Sequence, residues 1–285
     1  MNNLVQKADW NAASGDGWLQ NQEQLDRMLA ECGHAILATA DARPGERVLD
    51  IGCGAGDSSF ALARSVAPGG TVTGIDISVP LIGRAHKREA QESTGARFLL
   101  ADAATHDFTP AQADLLFSRF GLMFFDDPVA ALRNLYGGLR NGGRLAFICW
   151  RAAGENDWVR LPMQAVRGIV PLAPGSSPDP DAPGPFSFGD PDRVERLLAE
   201  AGFRDIRLTP FDCELCFGTG DSREAAIDDA VRLCGEVGPL RRLLAGQPED
   251  ICDRAVAAVR AAFARQVRED GVFINGACWI VTARA

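Results

Sequence analysis

A short apolar stretch that runs directly into three closely spaced glycines constrains this chain more than any other feature. Residues 48–56 read VLDIGCGAG, and residues 57–66 continue in a pattern typical of a helix. A strand-turn-helix unit of this kind needs glycine where the backbone turns tightly and approaches a ligand. Asp76 follows at the end of the next predicted strand, where a carboxylate either accepts both ribose hydroxyls or caps the following helix. The pattern favours a nucleoside-binding turn.

Strand and helix patterns alternate on both sides of this turn. They predict an α/β fold with a doubly wound, mostly parallel, seven-stranded sheet and helical cap elements. The strands are expected at 47–51, 71–77, 96–100, 113–117, 144–150, 203–211 and 277–284. Helices are expected at 22–40, 57–66, 80–91, 128–139, 157–170, 191–201 and within 221–267.

Charge around the glycine turn distinguishes between two classes of nucleoside ligand. Asp57 stands where a dinucleotide site needs its third small residue, and a carboxylate in the first helical turn repels a pyrophosphate. S-adenosylmethionine has no phosphate and carries a sulfonium and an ammonium group. Asp50, Asp57, Asp76 and Asp102 therefore favour a cationic ligand of this second kind.

Four motifs together resemble one enzyme family. They are VLDIGCGAG, the GIDIS that follows it, LLADA near the third predicted strand and FSRFGLMFF after the fourth. The chain resembles the class I S-adenosylmethionine-dependent methyltransferases, and within them the bacterial small-molecule branch similar to the ubiquinone and menaquinone biosynthesis methyltransferases. The resemblance is good from Trp10 to Trp150, fair in the final strand, and holds only in outline from 151 to 276.

The resemblance implies S-adenosylmethionine as cofactor, S-adenosylhomocysteine as product, and a set of residues around the methionine portion. Gly52 and Gly54 would pass beside that portion, and Gly56 would complete the loop. Asp50 would help to orient the methionine, and the Ser118 carbonyl would meet its ammonium group.

The resemblance also implies contacts to the nucleoside portion. Asp76 would hold the ribose, and Ile77 would lie against one face of the adenine. Asp102 and the Ala103 backbone would recognise the adenine edge. Asp50 and Asp102 each have an alternative role as a helix-cap or turn carboxylate.

A single domain is expected over residues 1–285. A helical cap over 1–45 precedes a cofactor-binding core over 46–150. Acceptor-side insertions over 151–202 and 212–275 alternate with the final strands at 203–211 and 277–284. The proline-rich segment 171–191 within the first insertion lacks periodicity, and it is either a lid or a plain surface excursion.

Catalytic side chains are hard to assign, because methyl transfer from a sulfonium depends mainly on holding the acceptor and the methyl group in line. Arg119, at the carboxyl end of the fourth strand, either anchors an anionic acceptor or pairs with Asp126 or Asp127. His106 is a second candidate, although a loop histidine of this kind usually has a structural role. The acceptor is expected to be a small, apolar or aromatic molecule. Candidates for contacting it are Trp10, Trp18, Arg119, Phe120, Met123, Phe124, Trp150 and Trp158.

Two functions other than methyl transfer are alternatives for this chain. A nicotinamide oxidoreductase needs a proton donor such as a Tyr-x-x-x-Lys pair, but the only tyrosine, Tyr136, has Arg140 at the fourth position after it. A relative that binds S-adenosylmethionine without methylating is the other alternative. A nucleic-acid methyltransferase is disfavoured, because the fourth strand is followed by Ser-Arg-Phe-Gly rather than an Asn/Asp-Pro-Pro-aromatic run.

The composition limits the kinds of partner that this protein is expected to bind. The net charge of −9 and the absence of a basic run disfavour nucleic acid and anionic membrane surfaces. The eight cysteines are scattered through apolar segments, as in buried thiols of a reducing compartment, and a cytoplasmic location is expected. Cys213 and Cys216 form the only CxxC, so no metal site is predicted. The oligomeric state stays open.

Overall fold

The fold is built on one mixed sheet. The computed structural model describes residues 3–110, 112–171, 179, 181–269 and 271–285. Within these ranges the strands are β1 Arg47–Ile51, β2 Thr71–Asp76, β3 Arg97–Leu100, β4 Ala113–Arg119, β5 Leu139–Trp150, β6 Arg204–Thr219, β7 Val267–Arg268 and β8 Gly271–Arg284.

Helices surround the sheet. In the described ranges they are α1 Leu4–Trp10, α2 Ala13–Gln20, α3 Gln22–Met28, α4 Ala30–Ala40, α5 Asp57–Val66, α6 Val79–Glu92, α7 Pro128–Gly138, α8 Asp157–Ala165, α9 Pro191–Ala201, α10 Arg223–Glu236, α11 Pro239–Leu244 and α12 Glu249–Phe263. Leu122–Phe124 and Ala153–Glu155 form short 3-10 turns. No helix in this part of the chain is both long and apolar enough to cross a membrane.

The strand order is β3-β2-β1-β4-β5-β8-β6, with β7 paired to β8. The pairs from β3 to β5 are parallel, whereas β8 runs antiparallel to both β5 and β6. The order reverses between β1 and β4, and ligands of doubly wound folds bind outside the carboxyl ends of the strands at such a point. The predicted doubly wound, mostly parallel fold is confirmed.

Local signals set several helix ends as the sequence predicts. The side chain of Asp127 accepts from Ala130 N and caps α7, and that of Asp190 accepts from Asp192 N and caps α9. A proline occupies the first helical position after each cap, where its missing N–H costs no helical hydrogen bond. Gly202, at φ 109°, ends α9 in the left-handed conformation.

The last two long strands are longer than expected. β6 was expected at 203–211 and β8 at 277–284, but the two strands pair from Arg204 to Thr219 and from Gly271 to Arg284. The expected insertion over 212–275 therefore begins and ends inside the sheet. Buried Cys213, Leu215 and Phe217 alternate with more exposed neighbours. Such alternation is typical of a strand, but it was not recognised in the sequence.

Other boundaries also differ from expectation. The helix expected at 157–170 ends at Ala165. The helix expected at 22–40 is divided at Leu29 into α3 and α4. The helix expected to continue to 139 ends at Gly138, because the chain already pairs with β4 at Leu139. A two-residue strand, β7, pairs with β8 and adds an eighth strand to the seven that were expected.

Four helices form a cap at the end of the sheet where β6 and β8 extend beyond the core. α10 packs on β6 and β8, α12 contacts α8 and α10, and α11 contacts α8 and α10. On the other side of the same edge, α2 contacts α6, and α3 contacts β6. These two helical groups stand over the carboxyl ends of the strands, where the site is expected.

The proline-rich segment is described only in part. Residues 172–178 and 180 lie outside the described ranges, so the two alternatives for 171–191, a lid or a plain surface excursion, both stay open. The described part is bonded to the core, since Gly184 N and Ser187 Oγ both donate to Met123 O at 3.0 and 2.6 Å. Trp279 Nε1 donates to Gly189 O at 3.0 Å.

Candidate functional site

The glycine turn after β1 has a geometry that only glycine permits. Gly52 has a φ of +69°, and a Cβ atom there would lie 2.7 Å from Gly121 Cα, in the loop after β4. The N–H groups of Gly52 and Cys53 both donate to Ile75 O on the neighbouring strand. The turn is thus held against β2 on one side and against the loop after β4 on the other.

Gly56 allows close packing of α5 on the sheet and does not line the central cavity. At φ +92°, a Cβ atom on Gly56 would lie 2.8 Å from the Phe98 ring and 2.9 Å from the Phe60 ring. The missing side chain lets α5 approach the sheet closely, which is the role of the third glycine in turns of this kind. Of the three glycines, Gly52 and Gly54 line the central cavity.

Asp50 lies beneath the turn and is 0% exposed. Its Oδ2 accepts hydrogen bonds from Ser58 Oγ at 2.7 Å and from Ser59 Oγ at 2.6 Å, which joins β1 to the start of α5. Its Oδ1 has no hydrogen-bond partner among the described residues. Burial raises the pKa of Asp50 from its ordinary value of 3.8 to about 6.

The raised pKa of Asp50 predicts a pH dependence of stability. Between about pH 4 and 6 the unfolded chain ionises this group while the folded chain keeps its proton, so the free energy of unfolding falls as the pH rises. A shift of about two units corresponds to about 2–3 kcal/mol. We expect Asp50→Asn, which still accepts from both serines, to lack this decrease in denaturant titrations without cofactor. Parallel pH profiles for the variant and the wild type would contradict the prediction.

Ser118 also supports the turn from below. Its Oγ donates to Ile51 O at 2.7 Å and accepts from Gly121 N at 3.1 Å. These bonds join the end of β1 to the loop after β4, at the point where the strand order reverses. Neither Asp50 nor Ser118 lines the cavity, so the structure places both beneath it.

Asp76 ends β2 with its carboxylate at the cavity wall. Oδ2 accepts from Gly54 N at 2.8 Å, and Oδ1 accepts from Ser78 N at 2.9 Å. Burial raises the pKa of this carboxyl group, while these backbone hydrogen bonds oppose the rise. Each oxygen retains a lone pair for a further donor such as a ribose hydroxyl. Ile77 lines the cavity next to it.

Asp102 and Ala103 lie at the next strand end and also line the cavity. Asp102 Oδ1 accepts from Ala104 N at 2.9 Å and from Asn3 Nδ2 at 2.8 Å. Asn3 Oδ1 in turn accepts from Asp126 N at 2.9 Å. The start of the described chain is therefore bound across this end of the cavity, which the sequence did not predict.

Arg119 does pair with carboxylates, but not with either of the two that were expected. Its Nη1 lies 2.9 Å from Asp57 Oδ2, and its Nη2 lies 3.4 Å from Asp26 Oδ1, with its side chain 11% exposed. Arg88 contacts the same two carboxylates. Asp126 and Asp127 were wrong as partners because both follow the 3-10 turn after β4, and Asp127 caps α7 there. The charge of Arg119 is balanced inside this cluster of two arginines and two aspartates.

One cavity of about 460 Å³ connects these features. That volume lies within the range of roughly 300–1,000 Å³ found for small-molecule sites. It is lined by six of the nine expected cofactor residues, namely Gly52, Gly54, Asp76, Ile77, Asp102 and Ala103. It is also lined by all eight expected acceptor residues, namely Trp10, Trp18, Arg119, Phe120, Met123, Phe124, Trp150 and Trp158.

His106 does not line this cavity. Its ring contacts Phe108 edge-on, with 4.9 Å between ring centroids. Its backbone carbonyl accepts from Asn134 Nδ2 at 2.9 Å. The cavity lining therefore gives no support for a catalytic role of His106, and its contacts fit the structural role that is usual for a loop histidine.

Aromatic rings form two walls beyond the glycine turn. On one wall Trp10 contacts Phe124 and Trp18 edge-on, at centroid distances of 5.3 and 5.9 Å. On the other wall Phe120 stacks on Trp150 at 4.3 Å, and Trp158 lies 5.5 Å from Trp150. Phe186, from the proline-rich segment, stacks on Trp158 at 5.3 Å.

Several lining residues come from segments that reach the cavity only through the tertiary fold, and the sequence did not predict them. Missed lining residues include Asp26, Pro183, Gly184, Pro185, Glu236, Gly238 and Arg242. Those from 183–185 lie in a loop, and those from 236–245 lie on or beside α11. Neither segment carries a motif, so no local signal could have assigned them to the site.

Comparisons with known proteins relate this chain to methyltransferases. Residues 48–143 match the family model described as a methyltransferase domain. Nocamycin O-methyltransferase of Saccharothrix syringae is 31% identical over 195 residues, which cover 63% of this chain and 67% of that protein. Aklanonic acid methyltransferase of Streptomyces sp. (strain C5) is 34% identical over 133 residues, which cover 45% of this chain and 60% of that protein.

A solved structure shows the same fold. Phosphoethanolamine N-methyltransferase 2 of Haemonchus contortus, in complex with S-adenosyl-L-methionine, superposes with a TM-score of 0.54 at 19% identity, and the match covers 89% of this chain and 52% of that one. The fold and the glycine-turn site thus define a methyltransferase of the doubly wound class. The chain belongs to the class I S-adenosylmethionine-dependent methyltransferases, and S-adenosylmethionine is its cofactor.

Proposed function

We propose that this enzyme transfers the methyl group of S-adenosylmethionine to an oxygen atom of a small aromatic or apolar acceptor bound between the two aromatic walls. The observation that carries the proposal is that a single cavity joins the glycine turn and Asp76 to both aromatic walls. The names of the two relatives, an O-methyltransferase and a methyltransferase of an acid, support an oxygen nucleophile.

The residues at the glycine-turn end fit the cofactor. S-adenosylmethionine, when bound, supplies an electrophilic methyl group on a sulfonium. The Asp76 carboxylate would accept from the ribose hydroxyls, and Asp102 with the Ala103 backbone would meet the adenine edge. Gly52 and Gly54 leave the backbone open beside the methionine portion. Asp50 and Ser118 act from beneath by holding the turn in place.

The residues at the aromatic end would position the acceptor. The rings of Trp10, Phe124, Phe120, Trp150 and Trp158 exclude water and restrict the orientation of a flat molecule. Positioning of this kind supplies up to about 7–11 kcal/mol of the barrier lowering in favourable systems. The Trp158 Nε1 atom is buried and has no hydrogen-bond partner among the described residues, so a small turn of the ring on acceptor binding would bring an unused donor to the acceptor oxygen.

The lining side chains also indicate what the acceptor must contribute. No histidine, lysine or tyrosine lines the cavity in the described part of the chain. Asp57 and Asp26 are held in ion pairs with Arg119 and Arg88, and Glu236 is held in an ion pair with Arg232. The acceptor oxygen should therefore ionise at neutral pH without help, as a carboxyl group, an enol or an acidic phenol does.

The proposal is tested by incubating the protein with methyl-labelled S-adenosylmethionine and matched pairs of aromatic acceptors. Each pair contains one molecule with an acidic hydroxyl or carboxyl group and one with an aliphatic alcohol in the same position. We expect labelled product and equimolar S-adenosylhomocysteine only from the acidic member. Preferential labelling of protein or tRNA, or of the alcohols, would contradict the proposal.

Trp158→Phe should weaken the binding of the acceptor and leave the binding of the cofactor unchanged. The substitution keeps an aromatic ring between Trp150 and Phe186 but removes the N–H donor. Loss of one neutral hydrogen bond costs about 0.5–1.5 kcal/mol, so the acceptor's KM should rise roughly two- to tenfold. Trp279→Phe is the matched control, because that indole donates to Gly189 O outside the cavity. Equal acceptor KM values for both variants would show that Trp158 does not contact the acceptor.

A further inference from the structure

Three cysteines from distant parts of the chain meet in the core. Cys32 comes from α4, Cys213 from β6 and Cys278 from β8, and all three are buried. Their Sγ atoms all lie within 4.8 Å of one another, and those of Cys32 and Cys213 are 3.2 Å apart. None of the three lines the cofactor cavity. This thiol cluster is therefore separate from the proposed methyl-transfer site.

The strand pairing explains why the cluster forms. Cys213 pairs with Gly276 in the antiparallel ladder, and Cys278 lies two residues beyond Gly276 on the same face of β8. A Cβ atom on Gly276 would lie 3.0 Å from Cys213 Sγ, so the glycine leaves room for the sulfur atoms. Cys32 completes the triangle from α4, which packs over β6 and β8. The CxxC in the sequence is not the relevant pair, because Cys216 is not part of the cluster.

We propose that Cys32, Cys213 and Cys278 form a three-thiolate binding site for one soft d10 cation, with monovalent copper as the best match. Thiolates select soft cations of this kind. Metal–sulfur bonds of about 2.3 Å in a trigonal arrangement place the sulfur atoms about 4 Å apart. The observed separations, from 3.2 Å up to at most 4.8 Å, bracket that value.

The absence of a fourth ligand decides between cations. No further His, Cys, Asp or Glu side chain joins the group in the described ranges. Zinc in structural protein sites is almost always four-coordinate, whereas the cluster offers three ligands in a position that excludes water. A bound ion would tie α4 to the last two strands of the sheet.

The test is an anaerobic titration of the reduced full-length chain with monovalent copper, in competition with a chromogenic chelator. We expect one equivalent to bind with thiolate-to-copper charge-transfer absorption, and zinc to bind at least tenfold more weakly. Cys278→Ser should lower the copper affinity at least 100-fold. Cys234→Ser is the matched control, because Cys234 is an equally buried thiol on α10 outside the cluster, and it should bind copper as the wild type does.

Two further measurements keep the outcome decisive. Thermal unfolding without metal shows whether Cys278→Ser folds, and Cys32→Ala replaces it if it does not. Copper should raise the unfolding temperature of the wild type and of Cys234→Ser but not that of the cluster variants. Copper binding that survives loss of Cys278, or the lack of any stoichiometric uptake, would overturn the proposal.

Discussion

Asp76→Ala should weaken the binding of S-adenosylmethionine by at least tenfold. The carboxylate is expected to accept from the ribose hydroxyls, and loss of a charge-assisted pair of hydrogen bonds costs about 2–4 kcal/mol. The substitution also leaves the N–H groups of Gly54 and Ser78 without their acceptor, so the turn itself should loosen. Calorimetric titration with S-adenosylmethionine and S-adenosylhomocysteine measures the effect directly.

Two variants separate ribose recognition from support of the turn. Asp76→Asn keeps one carbonyl oxygen for a backbone N–H but removes the negative charge, and it should still lose most of the cofactor affinity. Asp107, like Asp76, accepts a hydrogen bond from the backbone N–H two residues further along the chain, but it lies on the surface and outside the cavity. Asp107→Ala is therefore the control. That control should bind like the wild type. An unchanged affinity for Asp76→Ala with an intact fold would mean that the ribose lies elsewhere.

Gly52→Ala should reduce both the stability of the fold and its affinity for the cofactor. An alanine at the observed φ of +69° costs about 1–2 kcal/mol. The added Cβ atom would also lie 2.7 Å from Gly121 Cα, a backbone atom that cannot move aside without shifting the loop after β4. We expect a total loss of about 2–4 kcal/mol in the free energy of unfolding. Urea titration and cofactor calorimetry on the same preparation measure the two effects.

Gly95→Ala and Gly54→Ala are the controls for the glycine turn. Gly95 has a φ of +82° and no atom within 4 Å of the added Cβ, and it lies outside the cavity. Its alanine variant should therefore lose only the conformational free energy of placing alanine at positive φ. Gly54, at φ +55°, also has space for a Cβ but lines the cavity, so its variant should lose cofactor affinity with little more destabilisation than Gly95→Ala. Equal unfolding free energies for the Gly52 and Gly95 variants would contradict the proposed clash.

Most of the cofactor end was predictable from local sequence. A glycine turn between a strand and a helix has few alternatives, because only glycine adopts positive φ freely and admits close backbone approach. Asp76 and Asp102 each follow a predicted strand, and parallel strands bring their carboxyl ends to one edge of the sheet. Asp50, Gly56 and Ser118 support the turn without lining the cavity, so a contact between them and the cofactor stays a prediction.

The sequence predicted which aromatic residues lie at the expected acceptor end of the cavity, but not which residues Arg119 contacts there. The aromatic residues were identified from their position in segments above the sheet, and all of them reach the cavity. The partners of Arg119 were not identified, because Asp26 lies 93 residues away along the chain, on α3. Charge pairing over such a separation depends on how α3 lies relative to the end of β4, which no local pattern encodes.

By itself the sequence determined the doubly wound fold, the glycine turn and the acid at the next strand end, because each follows from backbone conformation and side-chain periodicity over a few residues. Only the tertiary structure decided that α11 and the 183–185 loop line the cavity, that Arg119 is bound by Asp57 and Asp26, and that three cysteines converge. These features arise from packing between elements far apart in the chain, and their residues carry no shared spacing that a sequence pattern could show.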